Sequence, residues 1–255
     1  MQHISNQWGP IIEYWAIDQW STVPRWNHYR QLEEFLLGDK NIHWQPQTTL
    51  EHCRSLATLA MVVIDRLRAK GFKVNGELIL RAIHLHDNGE RTTKVGDVAY
   101  SLKTANDDQL ELQGFLRELG DFARPWLLDP YLLQFVCDEA WKQFAPQIQT
   151  VLRRLSKEAK QEGIIFKFLE RVDYCLYAFH HWRSTGQPQI LTWVLRNQVS
   201  KIDQLVSQLP ALEEILWTPE VRRDCLAWLE EQADLPSESN VYHRLTTTMN
   251  AELVN

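Results

Sequence analysis

The chain has 255 residues, 44% of them hydrophobic and 24% charged, with a formal net charge of −6. That length and composition allow a sizeable core that needs neither disulfides nor a metal to hold it together. No basic stripe of the kind that binds long nucleic acid or an acidic membrane surface is present, whereas a small phosphorylated substrate stays open, since a metal ion and a few cations can make a local positive site.

The first thirty residues carry Trp8, Trp15, Trp20 and Trp26. They read as aromatic anchors pinning an N-terminal segment, with stacking on a substrate base as the sharper alternative. A helix is predicted over about 49–70, capped by Thr48 or Thr49 and ended by Gly71. Leu56, Leu59 and Val63 follow His52 at helical spacing, so His52 heads a buried stripe. A second helix starts after Asn75-Gly76, reaches His86-Asp87 and meets a stop at Asn88-Gly89. A loop over about 88–105 follows, then helices near 107–119, 129–143, 146–161, 163–183, 188–207 and 218–232. The tail from Pro236 is polar and reads as loosely held. No alternating strand, repeat or interdomain linker stands out, so the expected fold is all-α in a single domain. Its core spans about 22–185, with a helical extension over 186–235 and a tail over 236–255.

Cys53, Cys137, Cys175 and Cys225 lack CxxC spacing and read as buried, reduced thiols. No basic segment followed by an apolar core heads the chain, and no apolar run approaches the roughly 20 residues of a spanning helix. The expectation is a cytoplasmic protein without a membrane partner.

Four positions are unusual for a helical core: His52, the pair His86-Asp87 behind Leu78, Ile79, Ala82 and Ile83, and Asp173 within an apolar run. Taken singly each has an ordinary explanation, because a histidine on an apolar face is more often a hydrogen-bonded core residue than a ligand. A buried carboxylate is nevertheless costly unless a cation neutralises it. Two imidazoles and two carboxylates converging from three helices would solve that together. Mixed nitrogen and oxygen donors suit Mn, Fe, Co, Ni or Zn better than Mg.

The order His52, His86-Asp87, Asp173 resembles the HD-domain phosphohydrolase superfamily. Within it, Glu51-His52, His86-Asp87-Asn88-Gly89-Glu90, Gly96-Asp97, Lys103, Glu170-Arg171-Val172-Asp173 and the upstream Arg25-Trp26 pair are similar to the 5′-deoxynucleotidase branch. The resemblance covers about residues 22–185. It implies an HD-domain helical bundle in which His52, His86, Asp87 and Asp173 hold one divalent transition metal ion. No histidine lies between His86 and His180 to hold a second ion. The resemblance also implies Glu90 and Asp97 as acid/base groups, and Arg25, Trp26 and Lys103 as contacts to a small nucleotide substrate. His84, nearly opposite His86 on the helix, is not expected to ligate, and His180-His181 reads as structural or as support behind the ligands. Arg54 and Lys94 are weaker candidates. A homodimer is a further family-level expectation.

The reaction implied is hydrolysis of a deoxyribonucleoside 5′-monophosphate to nucleoside and phosphate. A deoxynucleoside triphosphate triphosphohydrolase with the same metal site is the nearest alternative, since the stretch from Glu90 to Asp97 is longer than the branch's. A non-catalytic nucleotide-sensing or scaffold protein that keeps the fold is the alternative of a different class.

Overall fold

The computed structural model describes residues 24–38, 47–92, 103–118, 120–137 and 139–254. Asp97, Lys94 and the tryptophans before Trp26 lie outside them. Among the described residues the fold is all-α, with one isolated backbone bridge, Pro24 to Thr48, and no strand.

The helices in chain order are α1 (Asn27–Leu37), α2 (Thr49–Ala69), α3 (Gly76–Leu85), α4 (Asn88–Thr92), α5 (Ala105–Glu118) and α6 (Gly120–Leu132). Then come α7 (Pro146–Glu158), α8 (Lys160–Thr185), α9 (Gln189–Gln208), α10 (Pro219–Glu231) and α11 (Glu238–Val254). Short 3₁₀ turns occupy Leu133–Phe135, Glu139–Gln143 and Pro210–Leu212. None of these helices is long and apolar enough to cross a membrane.

The 26-residue α8 is the axis of the molecule, packing along α9 and against α2 and α3. Its buried face includes Ile165, Phe166, Phe168, Leu169 and Val172, all under 7% exposed. Local chemistry sets the start of each site-bearing helix. At α2, Thr48 Oγ1 accepts from Glu51 N at 3.3 Å while Thr48 N donates to Glu51 Oε2 at 2.7 Å, a reciprocal capping box. At α3, Asn75 Oδ1 accepts from Leu78 N at 3.1 Å, and Asn75 N donates to Glu162 Oε1 on α8 at 2.9 Å. The carbonyl of His86, at the end of α3, is satisfied by Gln134 Nε2 at 3.1 Å.

Three sequence expectations change. The expected loop over 88–105 holds the short α4, and the helix expected at 129–143 instead begins at Gly120, ends at Leu132 and passes into two 3₁₀ turns. Pro125 and Pro130 both lie inside the observed helix, so their missing backbone donors do not end it. The polar stretch after Pro236 forms α11, which packs on α1. Its first residue, Glu238, is 8% exposed and accepts from Asn197 Nδ2 at 2.9 Å and Tyr29 Oη at 3.4 Å. The four cysteines form no disulfide; Cys53 is buried and the other three are half-buried.

Candidate metal centre

Three elements deliver the donors. His52 lies in the first turn of α2, His86 caps the C-terminal end of α3, and Asp87 follows in the turn into α4. His52, His86 and Asp87 are 0%, 2% and 9% exposed, and a ligand atom from each lies within 4.8 Å of the others.

Which nitrogen of each imidazole faces inward follows from the hydrogen bonds. His86 Nδ1 lies 2.9 Å from the Ile83 carbonyl, an acceptor, so Nδ1 carries the proton and Nε2 the lone pair. His52 Nδ1 lies 2.7 Å from Asp173 Oδ2, another acceptor, which fixes the same tautomer. The two Nε2 atoms then face each other at 3.3 Å. Two lone pairs at that separation repel unless a cation lies between them. Asp87 Oδ1 stands 3.0 Å from His86 Nε2, and Asp87 Oδ2 stands 3.8 Å from His52 Nε2. A proton bridges only two such atoms, whereas a divalent ion gathers three. Ligands about 2.1 Å from a shared ion sit roughly 3.0–3.4 Å from each other at tetrahedral or octahedral angles. The His52–His86 and His86–Asp87 spacings fall in that range and the His52–Asp87 spacing of 3.8 Å lies outside it, so the three side chains form a group that could hold a metal ion.

Of the four sequence-proposed ligands, the structure brings these three together. Asp173, 1% exposed, stands behind His52 on its Nδ1 side, and its other oxygen accepts from Ser55 Oγ.

Arg25 reaches the site from the residue pair before α1. It is 3% exposed, its Nη1 donates to Asp87 Oδ2, and its Nη2 donates to Tyr174 Oη at 3.2 Å. Burial pushes the Asp87 carboxyl up, but the positive charge beside it, Arg25 included, outweighs this and holds the group well below the usual carboxylate range. Trp26 has φ 69°, a left-handed conformation that costs a non-glycine residue about 1 kcal/mol. Packing holds it there. Its indole stacks on Tyr177 at 4.4 Å, Nε1 donates to Gln47 Oε1 at 2.9 Å, and it is 6% exposed. The sharp turn at Trp26 is what aims Arg25 inward while α1 leaves in another direction.

Glu90 follows Asp87 by one turn, its N–H donating to the Asp87 carbonyl at 3.1 Å, and it is buried. Lys103 Nζ donates to Glu111 Oε2 at 2.7 Å and lies 3.5 Å from Asp108 Oδ1. Burial would lower its ammonium, yet Glu111, Glu90 and Asp108 hold it well above the ordinary lysine value. Its charge is thus largely spent on carboxylates. Burial raises the Glu111 carboxyl, and the nearby Lys103 only partly offsets this.

Sequence reasoning missed Ser55, Glu111 and two tyrosines. Tyr174 stacks nearly parallel on the His52 ring, with centroids 5.9 Å apart, and Tyr177 stacks on Trp26. Ser55 follows His52 by three residues on α2, a helical spacing that was visible but pointed to no partner. Glu111 gave no signal. Of the two adjacent histidines, His181 is buried, with Nε2 3.0 Å from Glu33 Oε2, while His180 is exposed. His84 and Arg54 are exposed and lie outside the ligand cluster.

No family model, curated protein or solved structure matches the chain.

Proposed function

We propose that the protein is a metal-dependent phosphohydrolase acting on deoxyribonucleoside 5′-monophosphates. The observation that carries the metal is the pair of buried imidazoles whose Nε2 atoms stand 3.3 Å apart, with the Asp87 carboxylate beside them. The hydrolase reading adds the resemblance of the motif residues to HD-domain phosphohydrolases, and the arrangement around the donors supports it.

His52, His86 and Asp87 would hold the ion. A divalent ion bound there polarises a phosphoryl group and makes water a stronger nucleophile at neutral pH. The remaining work falls to protein side chains. Arg25 already engages one oxygen of Asp87, so its guanidinium borders the ligand cluster and can hold a phosphate oxygen through planar, paired donors. Glu90, one helical turn from Asp87, takes the proton of the attacking water as the new P–O bond forms. The P–O5′ bond then breaks and the 5′ oxygen receives the proton that Glu90 took up, leaving nucleoside and inorganic phosphate. Asp97 is the second acid/base candidate, and Trp26 in its tyrosine-lined setting is the candidate wall for the sugar.

The engagement of Lys103 by Glu111 and Asp108 supports a substrate with one phosphate over three. Arg25, also ion-paired, is the buried cation that touches a member of the ligand cluster directly. A panel of ribo- and deoxynucleoside mono-, di- and triphosphates, each with Mn²⁺, Co²⁺ or Zn²⁺, tests the reading. Inorganic phosphate from 5′-deoxynucleoside monophosphates is expected. Tripolyphosphate release would replace it with the triphosphohydrolase reading, and no product with any metal would overturn both.

A further inference from the structure

We infer that Glu238, the first residue of the C-terminal helix α11, is a positioning residue for the substrate-binding pair Arg25–Trp26. Its effect on substrate rests on the function proposed above.

That pair needs holding. Trp26 keeps its left-handed φ of 69°, and a strained backbone of that kind persists only where its surroundings over-determine it. From α8 the Tyr177 ring stacks on the indole, and Gln47 accepts its N–H. From α1 the Tyr29 ring meets the indole at 42°, with centroids 5.4 Å apart. Tyr29 is 8% exposed, and its hydroxyl donates to Glu238 Oε2 at 3.4 Å. The other carboxylate oxygen of Glu238 lies 3.2 Å from Nε2 of His28, also in the first turn of α1.

Glu238 is itself fixed from a third helix. Asn197 Nδ2 on α9 donates to Oε2 at 2.9 Å. One turn earlier on α9, Trp193 Nε1 donates to the Pro236 carbonyl at 2.8 Å, and the Trp193 ring lies at 26° to the Tyr29 ring. A glutamate in the first turn of a helix is favourable there in solvent, through the helix dipole alone. Here the carboxylate is buried instead, a cost that pairing must offset, and side chains of α1 and α9 engage both oxygens. The contacts run from Glu238 through Tyr29 and Trp26 to Arg25, which ends on the Asp87 carboxylate. Glu238 thus sets where α1 starts, and with it the indole wall and the guanidinium.

The test uses the full-length chain with Mn²⁺ and a 5′-deoxynucleoside monophosphate. Glu238→Ala is expected to raise KM roughly fivefold, the factor of one ordinary hydrogen bond, with kcat and metal stoichiometry kept. Tyr29→Phe removes only the hydroxyl and is expected to raise KM similarly. The double variant should go no further than the larger single effect. Glu238→Gln is expected to keep the wild-type KM, because its oxygen can accept from Tyr29 and Asn197 while its amide donates to His28. A lower kcat or folded fraction at unchanged KM would make Glu238 a purely structural contact and overturn the inference. Additive effects in the double variant would break the link through Tyr29. Tyr29→Phe decides the matter alone where Glu238→Ala does not fold.

Amide deuterium exchange reads the same link without turnover. The Arg25 and Arg30 N–H groups donate to the Gln47 and Trp26 carbonyls, and both should exchange faster in either single variant while α2 stays as in wild type. Unchanged exchange at Arg25 and Arg30 would overturn the inference. Absence of phosphate release by the wild-type chain would instead remove the proposed function, and exchange would then decide whether Glu238 holds the turn.

Discussion

Helix α8 carries two buried histidine–carboxylate pairs that look alike in isolation. Asp173 meets His52 at 2.7 Å, and His181, eight residues later, meets Glu33 at 3.0 Å. All four side chains are at most 2% exposed. The surroundings separate them. Beyond His52 stand His86 Nε2 and the Asp87 carboxylate, whereas among the described residues no comparable group of ligands gathers at His181. The His181–Glu33 pair ties α1 to α8. Burial and pairing thus mark a structural contact as readily as a functional one. What sets His52 apart is a second imidazole nitrogen and a carboxylate oxygen gathered on its far side.

The largest expected effect lies at that third donor. Asp87→Ala is expected to lose stoichiometric metal, measured by elemental analysis after dialysis, and to lose all phosphate release on the proposed substrates. Full turnover in the variant would show that the chemistry does not need Asp87 and would overturn its assignment. His181→Leu is the matching change in the other pair. It leaves the Glu33 carboxylate buried without this partner and should cost about 3 kcal/mol, read as a lower urea midpoint. Its folded fraction should bind metal with wild-type stoichiometry. Loss of metal there would erase the distinction between the two pairs.

The same contrast explains what could be read from the sequence. Apolar periodicity placed α2, α3, α8 and α9 to within a few residues, and it set His52, His86-Asp87 and Asp173 against the core, because burial follows directly from helical spacing. It could not tell which imidazole nitrogen a carboxylate faces. That difference is a few ångströms of tertiary packing. The burial of His181 rather than His180 was hidden for a similar reason: both follow Asp173 by about two turns, and only the approach of Glu33 on α1 decides between them. Helix α11 was misread because its polarity suggested solvent, whereas Glu238 and Val241 at its start are buried against partners far away in sequence.

A smaller effect tests how tightly the ligand turn is held. Gly89 lies between Asp87 and Glu90, and a Cβ there would come within 2.6 Å of Glu111 Cβ and 2.7 Å of Tyr131 Oη. Gly89→Ala must push α4 off α5 and α6, at about 1–3 kcal/mol. The expected readouts are a lower thermal midpoint and a fall in kcat with metal still bound, since Asp87 stays in place while Glu90 shifts. A variant with wild-type midpoint and kcat would mean the turn is loosely seated.

The smallest effect concerns a carboxylate near the site that is not a ligand. Glu170 lies one turn before Asp173 on α8, with Oε2 2.9 Å from Lys167 Nζ. Burial pushes its carboxyl up, but Lys167, His86 and Arg171 pull it down further, to about 2. Its folded value is thus below the roughly 4.3 of an unfolded glutamate. The charged form is favoured in the folded state, so the stabilisation is fully present above about pH 5. It fades as pH falls towards the folded value. Glu170→Gln should therefore destabilise the protein by about 1–3 kcal/mol at pH 7, and the gap between the two proteins should narrow between pH 5 and pH 3. Urea midpoints at pH 7, 5 and 3 measure it. A gap that stays constant with pH would show that Glu170 contributes through packing and hydrogen bonding rather than through its charge.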